Sequence, residues 1–134
     1  VQILYNSSMY ETRKPYISET KNNIYKFPVI YTVLKKTIKF RYSSIKKGMF
    51  DIPKVIWSNG TSTRPIIDSY GEYGLTQFSY AIIDNSENLP YIQNAMNDKK
   101  FIKLMEYVRF RVNKYNYKII SCFSNDFWKY FNYK

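Results

Sequence analysis

The 134-residue sequence is 45% hydrophobic and 19% aromatic, which is enough apolar material for one domain with one core. Its 21 Lys and Arg outnumber its 10 Asp and Glu, and the net charge of +11 favours an anionic partner such as nucleic acid. Because the chain has no His and one Cys, imidazole bases, histidine metal sites, thiolate zinc sites and disulfide frameworks are excluded.

The charge and the aromatic content have a second explanation in coding bias. Lys, Asn, Ile, Tyr and Phe have AT-rich codons, so an AT-biased genome would also produce the excess of Lys and many of the 15 Tyr. No apolar run approaches the roughly 18 to 20 residues of a membrane span, and residues 1–6 lack the basic-then-apolar order of a signal peptide. We therefore expect a protein that is not secreted and has no membrane partner.

The first part of the chain predicts strands with a cationic face. Residues 1–24 are a lead-in segment whose sequence indicates no particular secondary structure. Residues 25–32 have strand composition, although Pro28 limits this strand to a sheet edge or an irregular form. Residues 37–43 alternate apolar with basic side chains, which is typical of a strand with one buried face and one face in solvent.

The basic residues of this hairpin and its exit loop form a candidate phosphate-binding surface. They are Lys35, Lys36, Lys39, Arg41, Lys46 and Lys47. Phosphate contacts need charges spaced along a surface without the fixed geometry of base contacts, and a strand with flanking loops provides that spacing. A cationic face that contacts only solvent is the alternative.

Residues 52–84 predict short strands joined by tight turns, which place polar side chains at loop tips. The expected strands are residues 55–57, 66–67 and 78–83. Arg64 ends the polar tip 61–64, where a guanidinium beside hydroxyl groups can hold a phosphate or pair with guanine. Gln77 opens a strand and can pair with adenine, but a Gln there can equally satisfy backbone groups. In the turn 69–74, two glycines are available for positive φ.

After residue 85 the spacing of apolar residues becomes helical. Two helices are expected within residues 88–108, the first with Pro90 in its first turn, and a short helix is expected near the carboxyl end. The expected N-terminal caps are Asn88, Asp98 and Asp126. Residues 117–123 predict a strand in which Cys122 would be a reduced thiol in the core.

Few residues point to catalysis. The four glycines do not have the spacing of a phosphate-binding loop. Pro65-Ile-Ile-Asp68 is similar to the first half of a metal-dependent nuclease motif. The second half, an acidic residue two positions before a Lys, is not evident, so a nuclease is kept only as an alternative.

Several blocks of the sequence resemble, in order and spacing, the carboxy-terminal specificity region of adenine-specific DNA methyltransferases. They are Ile52-Pro-Lys-Val-Ile-Trp57, Ile66-Ile-Asp68, Tyr70-Gly-Glu-Tyr-Gly-Leu-Thr-Gln77 and Asp126-Phe-Trp128, with Phe40-Arg-Tyr-Ser-Ser44 and the two helices from Leu89. The family includes fused restriction-modification enzymes of bacteria and relatives in large DNA viruses. The resemblance covers roughly residues 25–131.

The resemblance implies a target recognition domain, which grips duplex DNA and reads a short sequence while a separate Rossmann-like domain methylates adenine. The positions that it assigns to DNA contact are Arg41, Tyr42, Lys54, Arg64, Tyr73, Thr76 and Gln77. The loop 58–63 differs from the common family form, so the target sequence does not follow.

The methyltransferase domain itself has no counterpart here. Its Asn-Pro-Pro-aromatic motif and cofactor-binding glycines are absent from this sequence, so the chain alone is not expected to methylate DNA. No cofactor is expected in this chain, and S-adenosylmethionine would bind only to a separate methyltransferase domain. The chain is then either a fragment of a longer enzyme or a free-standing relative that keeps the binding surface.

We therefore predict a single α+β domain over residues 1–134, with a mixed or mainly antiparallel sheet and a helical pair packed against it. A lead-in, 1–24, precedes a strand-rich part, 25–84, and a helix-rich part, 85–134. The predicted function is sequence-specific binding of double-stranded DNA in the cytoplasm of a bacterial or virus-infected cell, with a methyltransferase domain of the same parent chain as a further partner. Two alternatives stay open: a structural or protein-interaction domain, such as a virion component, and a fragment of a metal-dependent nuclease.

Overall fold

The residues that the structure describes form eight strands in two sheets. The computed structural model describes residues 1–5, 12–46, 49–109 and 113–131. The strands are β1 (Gln2–Leu4), β2 (Ile17–Ser18), β3 (Phe27–Val33), β4 (Ile38–Ser43), β5 (Lys54–Ser58), β6 (Ile66–Asp68), β7 (Gly74–Leu75) and β8 (Ser79–Ile83). Sheet I has the order β1-β8-β5-β6 and is antiparallel, whereas sheet II has the order β2-β4-β3-β7 with a parallel β3–β7 pair.

Sheet I lies between the helices and sheet II, because strand residues alternate between two buried faces. Val55 and Trp57 of β5 pack in the core that includes the helices, while Ile56 packs with Ile30 of β3 in a second core between the sheets. All five residues of β5 are buried. The prediction of a single α+β domain with mainly antiparallel strands and a helical pair is confirmed, with two sheets where one was expected.

The helical layer follows the predicted pattern. Its helices are α1 (Leu89–Asn97), α2 (Lys99–Tyr107) and α3 (Tyr117–Ile120), with short 3₁₀ helices at Ser86–Asn88 and Phe127–Tyr130. As predicted, the side chain of Asp98 caps α2 by accepting a hydrogen bond from Lys100 N at 2.8 Å. Asn88 and Asp126 precede helices but make no side-chain cap. None of the helices in the described ranges has the length and apolar character needed to cross a membrane.

The prediction of a strand at residues 117–123 is wrong, because this segment begins with α3 and contains no strand. The side chain of Asn116 accepts hydrogen bonds from the backbone N of Lys118 and Ile119, and this cap outweighs the strand preference of Tyr and Ile. The helical turn points Ile120 into the core and leaves Cys122 exposed, so the prediction of a buried thiol is wrong.

The amino-terminal lead-in contributes strands to both sheets. β1 pairs with β8 and β2 with β4, and the Val1 amino group donates a hydrogen bond to Phe123 O at 2.8 Å. Pro28 does not put β3 at an edge, because β3 lies between β4 and β7 and its pairing with β7 starts only at Val29. The irregularity that was expected of β3 is a bulge between Ile30 and Thr32.

Candidate nucleic-acid interface

Three cations from two chain segments line one depression at the end of the β3–β4 hairpin. Lys35 and Lys36, at the end of the β3–β4 hairpin, and Arg64, after the β5–β6 turn, line an open depression of about 430 Å³. We call these three residues the hairpin-end cluster. The segments meet because Leu34 and Thr63 form an antiparallel bridge and Arg64 N donates a hydrogen bond to Val33 O at 3.1 Å.

A fourth cation, Lys114, reaches the same loop from the carboxy-terminal part of the chain. Lys114 N donates to Gly60 O at 3.1 Å, and its Nζ lies 3.4 Å from Thr63 O. Burial lowers the pKa of Lys114, and the charge of Arg64 lowers it further, so Lys114 lies within electrostatic range of Arg64. Sequence spacing does not predict this contact, because Lys114 lies about fifty positions from the loop that it contacts.

Buried hydroxyl groups fix the loop that presents Arg64. Thr63 is fully buried, and its Oγ1 accepts hydrogen bonds from Ser58 N at 2.9 Å and from Ser58 Oγ at 3.1 Å. Ser58 Oγ in turn accepts from Val33 N at 2.9 Å. This network joins β3, β5 and the loop, so Arg64 is attached to a rigid support although it is exposed.

Replacing Thr63 with Val is expected to lower the free energy of unfolding by about 1–3 kcal/mol, because the Ser58 N–H loses its acceptor in a buried site. Urea unfolding followed by circular dichroism measures the loss. The matched control is Thr61→Val in the same loop, where the side chain is exposed and the expected change is within about 0.5 kcal/mol. Equal losses in the two variants would contradict a role for the Thr63 hydroxyl.

The predicted cationic row along the hairpin is divided in the structure. Lys35, Lys36, Lys39 and Arg64 make no ion pair with a residue in the described ranges. Lys46, beyond the other end of β4, pairs with Asp51 at 3.0 Å. Lys47 lies outside the described residues. Within the described part of this hairpin and its exit loop, the cations without an ion pair are therefore those at the hairpin end, Lys35, Lys36 and Lys39.

Arg41, Tyr42 and Tyr73 pack against neighbouring side chains. The Arg41 guanidinium lies 4.1 Å from the centroid of the Tyr31 ring and 3.7 Å from Glu19. The Tyr42 and Tyr73 rings both contact Phe40, at centroid distances of 6.4 and 5.2 Å. Burial, followed by nearby carboxylates, raises the pKa of Tyr73. All three side chains remain partly accessible.

The structure overturns the prediction that Lys54 contacts DNA. Lys54 is 0% exposed, and its Nζ donates hydrogen bonds to Asp68 Oδ2 at 2.7 Å, Met49 O at 2.8 Å and Ile52 O at 3.2 Å. Burial lowers the pKa of Lys54, and the charge of Asp68 opposes this effect. All three donors of the ammonium group are therefore used inside the protein.

Thr76 and Gln77 also have internal partners. Thr76 is fully buried and donates its hydroxyl to Ile30 O at 2.7 Å, so the prediction of DNA contact by Thr76 is wrong. The Gln77 amide oxygen accepts from Thr12 N at 3.2 Å, and its nitrogen lies 3.3 Å from Thr12 Oγ1. Gln77 therefore satisfies one backbone group and contacts one side-chain hydroxyl, which agrees with the alternative interpretation of this residue.

Asp68, on which the nuclease alternative depends, is also engaged. Its two carboxylate oxygens accept hydrogen bonds from Lys54 Nζ and from the backbone N of Glu72 and Tyr73, at 2.7–3.1 Å. It therefore joins β6 to the turn that follows it.

Comparison of the chain with protein-family models, with curated proteins and with solved structures gives no match.

Proposed function

We propose that the chain binds double-stranded DNA through the hairpin-end cluster. The observation that supports this proposal is the convergence of Lys35, Lys36 and Arg64 on one open depression without an acidic partner among the described residues. Like charges brought together in this way repel one another, so the arrangement favours a bound polyanion. The net charge of +11 adds long-range attraction to the phosphate backbone.

The shape of this end suits a duplex. Residues 35–39 are all exposed at the end of the β3–β4 hairpin, beyond the residues that pair with β2 and β7. The major groove of B-DNA is about 12 Å wide and accepts a two-stranded ribbon. With the hairpin end in the groove, Lys35, Lys36 and Lys39 would contact phosphates along its rim.

Arg64 is the best candidate for reading a base. It is exposed, its backbone is fixed by the bridge to β3, and Thr61 and Ser62 beside it are exposed hydroxyl side chains. A guanidinium presents two parallel donors that match the O6 and N7 acceptors of guanine. In this proposal Arg64 carries sequence preference and the lysines supply affinity.

The methyltransferase resemblance extends the proposal to target recognition. The chain would select the site for an adenine-specific DNA methyltransferase, whose catalytic domain and S-adenosylmethionine would lie outside residues 1–134. Since Lys54 and Thr76 hold the fold together, this role would depend on Arg64 and the basic hairpin end.

The affinity for a 20-base-pair duplex is expected to fall steeply with salt. Each phosphate contact contributes a slope of about −0.9 to log K against log salt, so the three phosphate contacts of Lys35, Lys36 and Lys39 together give about −2.7. Replacing Lys35 and Lys36 with Gln should reduce the size of the slope by about 2 and weaken binding at least about tenfold at 0.1 M salt. Fluorescence anisotropy with a labelled duplex measures both quantities.

The control for these variants is Lys21→Gln, since Lys21 is exposed, makes no ion pair with a described residue and lies outside the hairpin.

Arg64→Gln should in addition reduce the preference among duplexes of different sequence by about 1–3 kcal/mol. Affinity for the duplex that does not change with salt, or that Lys35→Gln/Lys36→Gln leaves intact, would reject the proposal.

A further inference from the structure

An apolar groove lies on the helical side of the molecule, between α2 and the carboxy-terminal 3₁₀ helix. It has a volume of about 240 Å³, and its lining residues are Leu104, Phe123, Ser124, Phe127, Tyr130 and Phe131. We propose that this aromatic groove, defined by these six residues, receives one large apolar side chain from an acidic segment of a partner protein. The proposal does not depend on DNA binding, because the groove and the hairpin-end depression share no residue.

The groove has a preformed floor and an exposed aromatic rim. Phe123 and Phe127 pack at a centroid distance of 5.5 Å, and Phe131 packs edge-on against the buried Phe101 at 5.2 Å. Tyr130 is 77% exposed, and Tyr107, three positions after Leu104 on α2, is 78% exposed. Residues three apart on a helix are neighbours, so Tyr107 extends the rim along α2.

The exposure of these side chains is unusual within the protein. Among the described large hydrophobic side chains, only Tyr70, at 83%, is more exposed than Tyr107 and Tyr130. Grouped apolar exposure around a groove marks an interaction surface, whereas single exposed apolar residues carry no such meaning. Tyr is also enriched at protein interfaces, where it covers much area at low entropic cost.

The small volume of the groove favours a protein partner over a small-molecule ligand. Pockets for small molecules enclose their ligands and have volumes of roughly 300–1,000 Å³. The aromatic groove is smaller than this and open to solvent. It suits one anchoring side chain of a partner, such as Trp, Phe or Leu, which is the usual form of an interface hot spot.

Charge around the groove favours an acidic partner. Helix α2 carries three exposed Lys residues and one exposed acid, Glu106, and none of them makes an ion pair with a described residue; Lys100 lies one turn before Leu104. Asp126, just before the carboxy-terminal 3₁₀ helix, is already paired with Lys129 at 4.0 Å and accepts a hydrogen bond from Ser124 Oγ at 3.0 Å. A second copy of this chain is a poor occupant, because two molecules of charge +11 repel each other.

The test uses the full chain and three fluorescein-labelled peptides of twelve residues. The first has Glu and Asp on both sides of a central Trp, the second has Ala in place of Trp, and the third has Lys in place of the acids. We expect the acidic Trp peptide to bind at least tenfold more tightly than the other two in anisotropy titrations. Two-dimensional NMR should show shifts at Leu104, Phe123 and Tyr130.

Two variants link the binding to the groove. Tyr130→Ser and Lys100→Glu change exposed side chains, so folding is retained, and each should weaken the acidic Trp peptide at least fivefold. The matched control for charge is Lys21→Glu, which should change the affinity less than twofold. Tyr130→Ser keeps the net charge and changes no residue of the hairpin-end cluster, so it should leave the duplex assay unchanged, and failure here is distinguishable from failure of the proposed function.

Several results would overturn the proposal. Equal affinity for the Trp and Ala peptides would mean attraction by charge alone. Binding that is unaffected by Tyr130→Ser would place the peptide elsewhere. Peptide binding that appears only after removal of residues 132–134 would mean that the chain covers its own groove. Shifts of the groove resonances with vesicles containing phosphatidylserine, but with none of the peptides, would identify a lipid surface instead.

Discussion

Replacing Asp68 with Asn is expected to lower the free energy of unfolding by about 3–5 kcal/mol, because the variant leaves the buried Lys54 ammonium without a counterion. Asn has nearly the same volume as Asp, and its oxygen can still accept from the backbone of Glu72 or Tyr73, so no cavity contributes to the loss. Urea unfolding at pH 7 measures the effect.

Two further variants separate the charge from the other contacts of Asp68. In Lys54→Met/Asp68→Asn both charges are removed, so part of the stability lost in Asp68→Asn should return. Asp126→Asn breaks an exposed pair with Lys129, for which at most about 1 kcal/mol is expected. A loss in Asp68→Asn no larger than that in Asp126→Asn would contradict the assignment of a buried, structural ion pair.

The pH dependence gives an independent check of the same pair. Burial lowers the pKa of Lys54 in the folded state, and removal of Asp68 removes the charge that opposes this effect. The unfolded chain then binds the Lys54 proton more tightly than the folded chain, so the stability of Asp68→Asn rises with pH up to the unfolded pKa of about 10.4. The difference between wild type and variant should therefore be smaller at pH 9.5 than at pH 7.

Local signals in the sequence predicted most of the elements. The strands β5, β6 and β8 follow from short apolar runs between turn residues, and α1 and α2 follow from helical spacing. These signals are local, so they did not require knowledge of tertiary contacts. They failed at residues 117–123, where strand propensity and a helix cap compete within four residues.

The buried ion pair between Lys54 and Asp68 could not be predicted from the spacing of residues in the sequence. Lys54 is paired with Asp68 in the register between β5 and β6, so their side chains meet only when that register is known. The resemblance to methyltransferases assigned Lys54 to DNA contact, and a Lys is seldom fully buried. The one available sign was its position at the start of β5, a strand that is apolar at each of the next three residues.

The candidate site was predicted in part. The basic hairpin and Arg64 were recognised from local pattern, and the structure brings Lys35, Lys36 and Arg64 together. Lys114 was not associated with them, since contacts between residues 113–114 and the 60–63 loop connect distant parts of the chain. The aromatic groove likewise depends on the packing of α2 against the last helical turn, which no local pattern reports.

Replacing Gly71 with Ala is expected to destabilise the protein by about 2–5 kcal/mol, from backbone strain of roughly 1–2 and overpacking of about 1–3 kcal/mol. Gly71 has a φ of +68°, and a Cβ there would overlap the backbone of Asp51 and Ile52. The turn at residues 49–52 meets the turn at residues 69–74 here, because Asp51 N donates a hydrogen bond to Gly71 O at 2.8 Å. Met49 and Asp51 already have positive φ angles, of 83° and 60°, so this turn has little freedom to move away.

Gly60 provides a matched control for the steric part of this effect. Its φ is +98°, yet a Cβ there would meet nothing within 4 Å, so Gly60→Ala should lose only the strain of roughly 1–2 kcal/mol. Urea unfolding of both variants isolates the overlap at Gly71 as the difference between them, about 1–3 kcal/mol. Equal losses would mean that the 49–52 turn yields without cost. A larger loss at Gly71 would show that the backbone of Asp51 and Ile52 does not move away from the added methyl group.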